Sequence, residues 1–534
     1  MWTRSDGVLG RLAFYAAVVA FVVALTITMP GPTPAEHEAG RAAATGRQSI
    51  PPEVLAPPSP ATPAPRQGQW FQRPGLPVVV AHRMVCSLSN DDTAAASIEW
   101  LDAVGSVEAG GKSFWLFGDS FLFGEPGQEP YLPAPVAMSS DNDASDCVSM
   151  TYKALDGKAE PLFPTRDDET TAWPDGSIAL EPGYVNFYFA SVVRESPTKW
   201  HVRHIGLGRF DTEEMRGERT FEKLWDADSG FGAALNGARS PVQLGEYVVV
   251  FLHTSDGRHI LARAPMESLG NASAYSYWDG DSWSPEPAAA RPLWEEPQGP
   301  FPKHNGLSVR YNRFLGKWLA IYNADLSTLR VRVASELTGP WSDETEWLDC
   351  SSVFGDTWPL CYSAEQNSHL ARDGDRTLYV TLSSTFPYAA WLVELRLGAA
   401  VHQWRDGSGR PAYAMRAPGP DYVDQGVSFY ASDEPVPGFS EIYAWEKNGE
   451  LFYSPSSPGP GFVRREVAFY APTSSRAVGS RLAYDPVYRW DLGPSHLYSP
   501  ALTGLEPKGY ERGTVAFYAV CGDVNLDRVS DCLQ

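Results

Sequence analysis

The sequence predicts an all-β protein, a five-bladed β-propeller followed by a three-repeat β-trefoil-like module, with an N-terminal hydrophobic export segment. Three observations predict it. Short apolar and aromatic runs recur along the body, each bounded by Gly, Asp, Asn or Pro, the pattern of buried strands between tight turns. Glycine and proline are abundant, at 47 and 45 of 534 residues, and no long amphipathic period marks a helix. The C-terminal part repeats itself, which is the signature of a module built from equivalent units.

The first thirty residues read as a signal peptide or signal anchor. Arg4 and Arg11 precede an uncharged apolar stretch from Leu12 to Met29, ended by Pro30. Eighteen residues at about 1.5 Å each give roughly 27 Å of helix, enough to span the apolar core of a bilayer. The basic flank lies on the N-terminal side, so the body is expected outside the cell or at its surface. Residues 31–75 are rich in Pro and Ala, with Pro51-Pro52, Pro57-Pro58, Pro60, Pro63 and Pro65, and form an extended spacer. The membrane is therefore a partner only through the N-terminal segment.

Residues 76–398 carry the predicted propeller. Strands are expected at Ser113 to Phe117, Val185 to Ala190, Val248 to His253, Trp318 to Tyr322 and Leu378 to Leu382. Some 320 residues of short strands, at roughly 55 to 65 per blade, fit five blades, whose radial packing leaves only short edges. Two successive β-sandwiches are the alternative.

In residues 399–520 three units open on Val401-His402-Gln403-Trp404, Ile442-Tyr443-Ala444-Trp445 and Val487-Tyr488-Arg489-Trp490. They close on Phe429-Tyr430-Ala431, Phe469-Tyr470-Ala471 and Phe517-Tyr518-Ala519, and Tyr413, Tyr453 and Tyr498 correspond inside them. No single unit of 40 to 48 residues can bury its own apolar face, so the three are expected to pack about a pseudo-threefold axis as a trefoil-like, carbohydrate-binding module. Most of the repeated aromatics are expected in its core. Exposed ones at equivalent edges would stack on sugar rings. Six cysteines in an exported chain imply disulfides, and the pairs Cys86 with Cys147, Cys350 with Cys361, and Cys521 with Cys532 are expected, the last within a tail of residues 521–534.

Net charge is −22, which repels phosphate backbones and argues against a nucleic-acid partner. Phosphate-binding loops and a nucleophile elbow in a strand-to-helix context do not appear, and the ten histidines lack metal-ligand spacing, so neither cofactor nor metal is expected. What remains is carboxylates beside aromatics, the combination that cleaves glycosidic bonds. The sharpest feature is Phe114-Trp115-Leu116-Phe117-Gly118-Asp119-Ser120, a hydrophobic strand that delivers Asp119 to its end. Asp102 lies 17 residues earlier across a turn at Gly110-Gly111, so one hairpin carries both acids to one rim. Asp141, Asp143 and Asp175 are further acids, expected on loops within reach of the axis. Phe354-Gly355-Asp356-Thr357-Trp358 nearly duplicates the motif, but between two cysteines it reads as a surface turn.

These residues, with Leu261-Ala262-Arg263-Ala264-Pro265, Tyr275, Tyr277-Trp278, Asn305-Gly306-Leu307-Ser308-Val309-Arg310-Tyr311-Asn312 followed by Trp318, Arg332, and Leu337-Thr338-Gly339-Pro340-Trp341-Ser342, resemble the successive motifs of a family of exported bacterial and fungal five-bladed propellers. That family was long described as a domain of unknown function, and members are known as endo-D-arabinanases, glycoside hydrolases that cut the D-arabinan of mycobacterial cell walls. The resemblance spans roughly residues 80 to 398. It implies that Asp119, followed by Ser120 where the family has Thr, and Asp102 are the catalytic carboxylate pair. His369 resembles a family histidine and implies a contact to sugar. His304 and Asn305 stand where the family presents a Glu, and together with Trp115 complete the expected substrate-binding set. The C-terminal units are similar to a tandem repeat at the ends of secreted bacterial hydrolases.

The expected function is thus an exported glycoside hydrolase of furanoside polysaccharide, acting as a monomer on a polysaccharide partner. A non-catalytic glycan-binding surface protein is the alternative, and a structural envelope protein a third reading.

Overall fold

The structure is a computed structural model that describes residues 77–124, 130–196, 199–228, 230–295, 306–323, 326–354, 360–385, 387–475, 484–493, 495–500 and 509–520. The export segment, the spacer, His304, Asn305, Gly355 to Trp358 and the Cys521 and Cys532 pair lie outside these residues. By contact the chain divides into Met1–Trp70 with Phe123–Pro130, and Phe71–Leu122 with Tyr131–Gln534. Every sheet belongs to the second unit. Among the described residues no helix is long and apolar enough to cross a membrane.

The fold is all-β. Five antiparallel sheets follow one another along the chain, each beginning with an inner strand: Val104–Ala109, Thr171–Glu181, Leu235–Leu244, Leu307–Asn312 and Cys361–Gln366. In the first sheet the order continues through Lys112–Phe117, Val136–Ser139 and Thr151–Tyr152. The fifth sheet takes its outermost strand, Val79–Ser87, from the start of the described chain, paired antiparallel with Tyr388–Leu397. Each inner strand touches the inner strand of the next sheet, and the fifth touches the first. The sheets therefore close into a propeller-like ring with the inner strands about its axis.

Side-chain alternation explains the ring. All five strands expected from apolar runs are present, and each is the second strand of its sheet. Because successive side chains point to opposite faces, a strand buried on both faces reads as a continuous apolar run. In Tyr184–Ser196, Phe187 and Phe189 pack toward the first sheet, while Tyr188 and Ala190 pack toward the third. Val249 and Phe251 of the third sheet meet Ala320 and Tyr322 of the fourth, whose Leu319 and Ile321 meet Leu378 and Val380 of the fifth. Trp115 and Phe117 of the first sheet pack with Tyr379 and Leu392 of the fifth and complete the circle. Five apolar cores thus fill the five spaces between sheets.

Two glycine positions are dictated by backbone. Gly110 and Gly111, at φ of 61° and 78°, form the two-residue turn between Val104–Ala109 and Lys112–Phe117, where both turn residues need left-handed torsions. Gly306 has φ of 116°, and a Cβ there would lie 2.4 Å from the Ala364 amide nitrogen, so only glycine lets the fourth inner strand start against the fifth. The disulfides Cys86–Cys147 and Cys350–Cys361 are formed as expected.

The repeats fold as three separate three-stranded sheets, each with its opening strand in the centre: Ala399–Arg405, Ser440–Lys447 and Asp485–Leu492. Single β-bridges, Tyr430 with Val520 and Ser432 with Tyr470, link the sheets, which bury one shared core of Val401, Ile442 and Val487 with Phe429, Phe469 and Phe517. The corresponding tyrosines form a cycle. The Tyr413 amide donates to the Tyr453 hydroxyl, the Tyr453 amide to the Tyr498 hydroxyl, and the Tyr498 amide to the Tyr413 hydroxyl, at 2.8, 2.8 and 2.9 Å.

Candidate functional site

Asp102 lies two residues before the inner strand of the first sheet, and Asp119 two residues after the strand paired with it. Gly118 closes this end of the hairpin, its amide donating to the carbonyls of Asp102 and Ala103, both at 2.8 Å. The short strand Asp119–Leu122 then turns away to pair with Ile98–Trp100 and Tyr131–Pro133. One hairpin therefore presents both carboxyls at the rim of the ring.

The two acids have different surroundings. Asp102 accepts from the Tyr388 hydroxyl at Oδ2, and the Tyr362 hydroxyl also bonds its side chain. Burial raises its pKa to about 6, against the lowering effect of those hydroxyls and with a further upward push from the charge of Asp119. Asp119 is buried and accepts at both oxygens. Tyr131 and the Trp173 indole, at 2.8 Å, donate to Oδ1, and the Arg194 guanidinium pairs with Oδ2. The Tyr388 hydroxyl also lies 3.4 Å from the Asp119 carbonyl oxygen, so one tyrosine bridges both acids. Trp173 meets Trp200 edge to face at 5.0 Å, and Phe121 packs against Tyr131 and Tyr388, so aromatic rings flank the pair.

This arrangement holds one carboxyl able to carry a proton close to neutrality beside a second anchored by a guanidinium. Such a pairing of environments divides acid and base roles between two carboxylates.

Residues 89–394, more than half of the chain, match a domain of unknown function, DUF4185. The chain belongs to the DUF4185 family. No curated protein matches it. Among solved structures, the DUF4185 chain is similar to an α-L-arabinofuranosidase from Podospora anserina in complex with cellotriose, at 11% identity over 60% of this chain and 98% of that one, with a TM-score of 0.39. A GH62 α-L-arabinofuranosidase from Coprinopsis cinerea gives 10%, 60%, 98% and 0.39 in the same order. A family 117 glycoside hydrolase produced by Zobellia galactanivorans gives 10%, 62%, 91% and 0.37.

Within the DUF4185 domain the other expected site residues fall in different places. Trp115 is fully buried between the first and fifth sheets, its indole donating to the Ser113 hydroxyl at 2.9 Å. It is a core residue, because alternation along its strand turns it into the space between the sheets. His369 follows the inner strand of the fifth sheet and is affected by Glu108, six residues past Asp102 along the first inner strand. At about 3.3 Å per residue that is roughly 20 Å from the rim, so His369 does not join the two acids. Burial lowers its pKa to about 4. Asp143 is exposed and pairs with Arg372. Asp175 is on the second inner strand rather than a loop, where it pairs with Arg239 at 3.4 Å.

Sequence reasoning missed Tyr131, Trp173, Arg194, Tyr362 and Tyr388 around the acids, and Arg239, Arg310 and Glu365 at the axis. A signal for the axial residues exists in Trp173-x-Asp175, Gly237-x-Arg239, Ser308-x-Arg310 and Ser363-x-Glu365. In each, a charged residue stands two after another on an inner strand, and in the second and fifth sheets a register shift falls at that place.

Proposed function

We propose that this protein is an exported glycoside hydrolase of furanoside polysaccharide, such as cell-wall D-arabinan, built on a five-bladed β-propeller. The observation that carries the reading is the pairing of Asp102, whose pKa is near 6, with Asp119 anchored by Arg194 in an aromatic surround. In this reading Asp102 is the general acid that protonates the departing glycosidic oxygen. Asp119 is the base or nucleophile at the anomeric carbon, and its charge supports the positive charge that develops on the ring. Activity then requires protonated Asp102 and falls as pH rises past about 6. The resemblance set out for residues 80 to 398 supplies the substrate class, and the C-terminal repeats are read as a carbohydrate-binding module.

The second reading, a glycan-binding protein without activity, is favoured by one feature, the occupation of both Asp119 oxygens by three donors. The test is incubation of the protein with mycobacterial arabinogalactan beside Asp102→Asn and Asp119→Asn variants. Oligosaccharides released by the parent and reduced at least 100-fold in both variants are expected. Retardation by the polysaccharide in an affinity gel without any release would establish the binding reading.

A further inference from the structure

Below the two rim acids the inner strands bring four charged side chains together. Asp175 comes from the second sheet, Arg239 from the third, Arg310 from the fourth and Glu365 from the fifth. Arg239 pairs with Asp175, whose carboxyl also accepts from the Ala238 amide at 3.1 Å. Glu365 feels Arg310 and Arg239 as attractive and Asp175 as repulsive charges, and bonds the Ser308 side chain. Residues on four successive sheets meet in this way only at the axis. The first sheet contributes a glycine there. A Cβ on Gly105 would face Glu365, and the nearest atom it would meet is Glu365 Cγ at 3.8 Å.

The ring reads glycine, aspartate, arginine, arginine, glutamate. Its four charges cancel when both acids are ionised, and one positive charge is in excess when Glu365 takes up its proton below about pH 7, so neither state compensates a strongly charged ligand in a buried place. A polyhydroxyl group fits better, because each hydroxyl donates and accepts, as guanidinium and carboxyl partners require. Gly105, Arg239, Arg310 and Glu365 keep partial exposure, whereas the Asp175 side chain is 5% exposed.

We propose that this charged ring is the floor of the sugar-binding site, where a hydroxyl-bearing arm of the substrate enters the space left by Gly105 and hydrogen-bonds to Glu365. The inference rests on the glycoside hydrolase reading and gives that site its depth. Glu365 would then touch substrate while Asp102 and Asp119, at the strand ends above, act on the bond. Burial raises the Glu365 pKa to about 7, so at acid pH the group donates to the sugar and at alkaline pH it only accepts.

The experiment measures KM and kcat on mycobacterial arabinogalactan for the full chain carrying Gly105→Ala, Glu365→Ala or Glu365→Gln. The added methyl of Gly105→Ala meets no protein atom closer than 3.8 Å, so this variant keeps its melting temperature whatever happens to Glu365→Ala. Expected are a KM rise of tenfold or more for Gly105→Ala and Glu365→Ala with kcat changed less than threefold. Glu365→Gln, which keeps a donor and an acceptor, should hold the parental KM at pH 5.5 and lose the parent's change of KM between pH 6 and 8. Parental KM in Gly105→Ala overturns the proposal. If the parent releases no oligosaccharide, the hydrolase reading falls separately, and affinity electrophoresis decides the floor. Retardation of the parent but not of Gly105→Ala supports it, and equal or absent retardation overturns it.

Discussion

The Tyr388 hydroxyl donates a hydrogen bond to Oδ2 of Asp102, across 286 residues of sequence and between the fifth and first sheets. This bond favours the ionised carboxylate and so works against the burial that raises the Asp102 pKa. Tyr388→Phe removes the donor and leaves the burial. The Asp102 pKa should move above its value near 6, and the alkaline limb of kcat/KM should move with it, by roughly one unit for about 1.4 kcal/mol of lost interaction. Carboxyl-carbon NMR titration and a pH–rate profile check the two shifts. An unchanged limb with a shifted NMR pKa would remove Asp102 from the acid role.

The same raised pKa makes Asp102 a pH-dependent cost to the fold. A carboxyl whose folded pKa is about 6 and whose ordinary value is 3.8 keeps in the folded state a proton that the unfolded chain has released. Stability therefore falls as pH rises from about 4 to about 6 and stays lower above that window. Asp102→Asn abolishes the titration. It should melt a few degrees above the parent at pH 8, for a gain of about 2 kcal/mol after allowance for partial exposure, with the difference shrinking toward pH 4. Thermal melts at the two pH values read this directly. A variant less stable than the parent at pH 8 would show that Asp102 is not strained by burial.

The parts of this protein that were legible in its sequence are those buried on both faces. Val248 to His253 and Leu378 to Leu382 read as strands because both neighbouring sheets demand apolar residues from them. The inner strands carry Asp175-Gly176-Ser177 and Gly237-Ala238-Arg239 toward the axis, and these interruptions hide their period. The acid pair was legible because a short hairpin joins Asp102 to Asp119. Their partners Arg194 and Tyr388 were not, since closure of the ring brings them in from other sheets. Trp115 and His369 were misplaced for related reasons. Nearness along a strand does not reveal which face a tryptophan takes or which end of an axis a histidine occupies.

Arg194 is the only cation paired with Asp119 among the described contacts, and both side chains are largely shielded, at 25% and 6% exposure. Removing one partner of such a pair leaves the other uncompensated. Arg194→Met should cost about 3 kcal/mol of stability. Adding Asp119→Asn should recover part of that loss, because the amide no longer needs a counter-charge. Denaturant unfolding of the parent, both single variants and the double variant closes the cycle, with a coupling of about 1–3 kcal/mol expected. Additive losses would mean that the ion pair contributes nothing.

The cyclic tyrosines of the C-terminal module give a test of its threefold character. Each hydroxyl accepts an amide hydrogen bond from the preceding unit of the cycle, and all three tyrosines are buried. Tyr413→Phe, Tyr453→Phe and Tyr498→Phe each leave one amide without its acceptor in the same apolar core, at a cost of about 1–3 kcal/mol. If the units are physically equivalent, the three losses agree within about 1 kcal/mol, although the linkers between repeats differ in length. Once one link is gone the neighbouring rings can relax, so the second substitution should cost less than the first. Urea unfolding followed by tyrosine fluorescence of the isolated transition, with m-values compared among the variants, measures both effects. One large loss and two negligible ones would show that a single repeat carries the core and that the threefold cycle is geometric only.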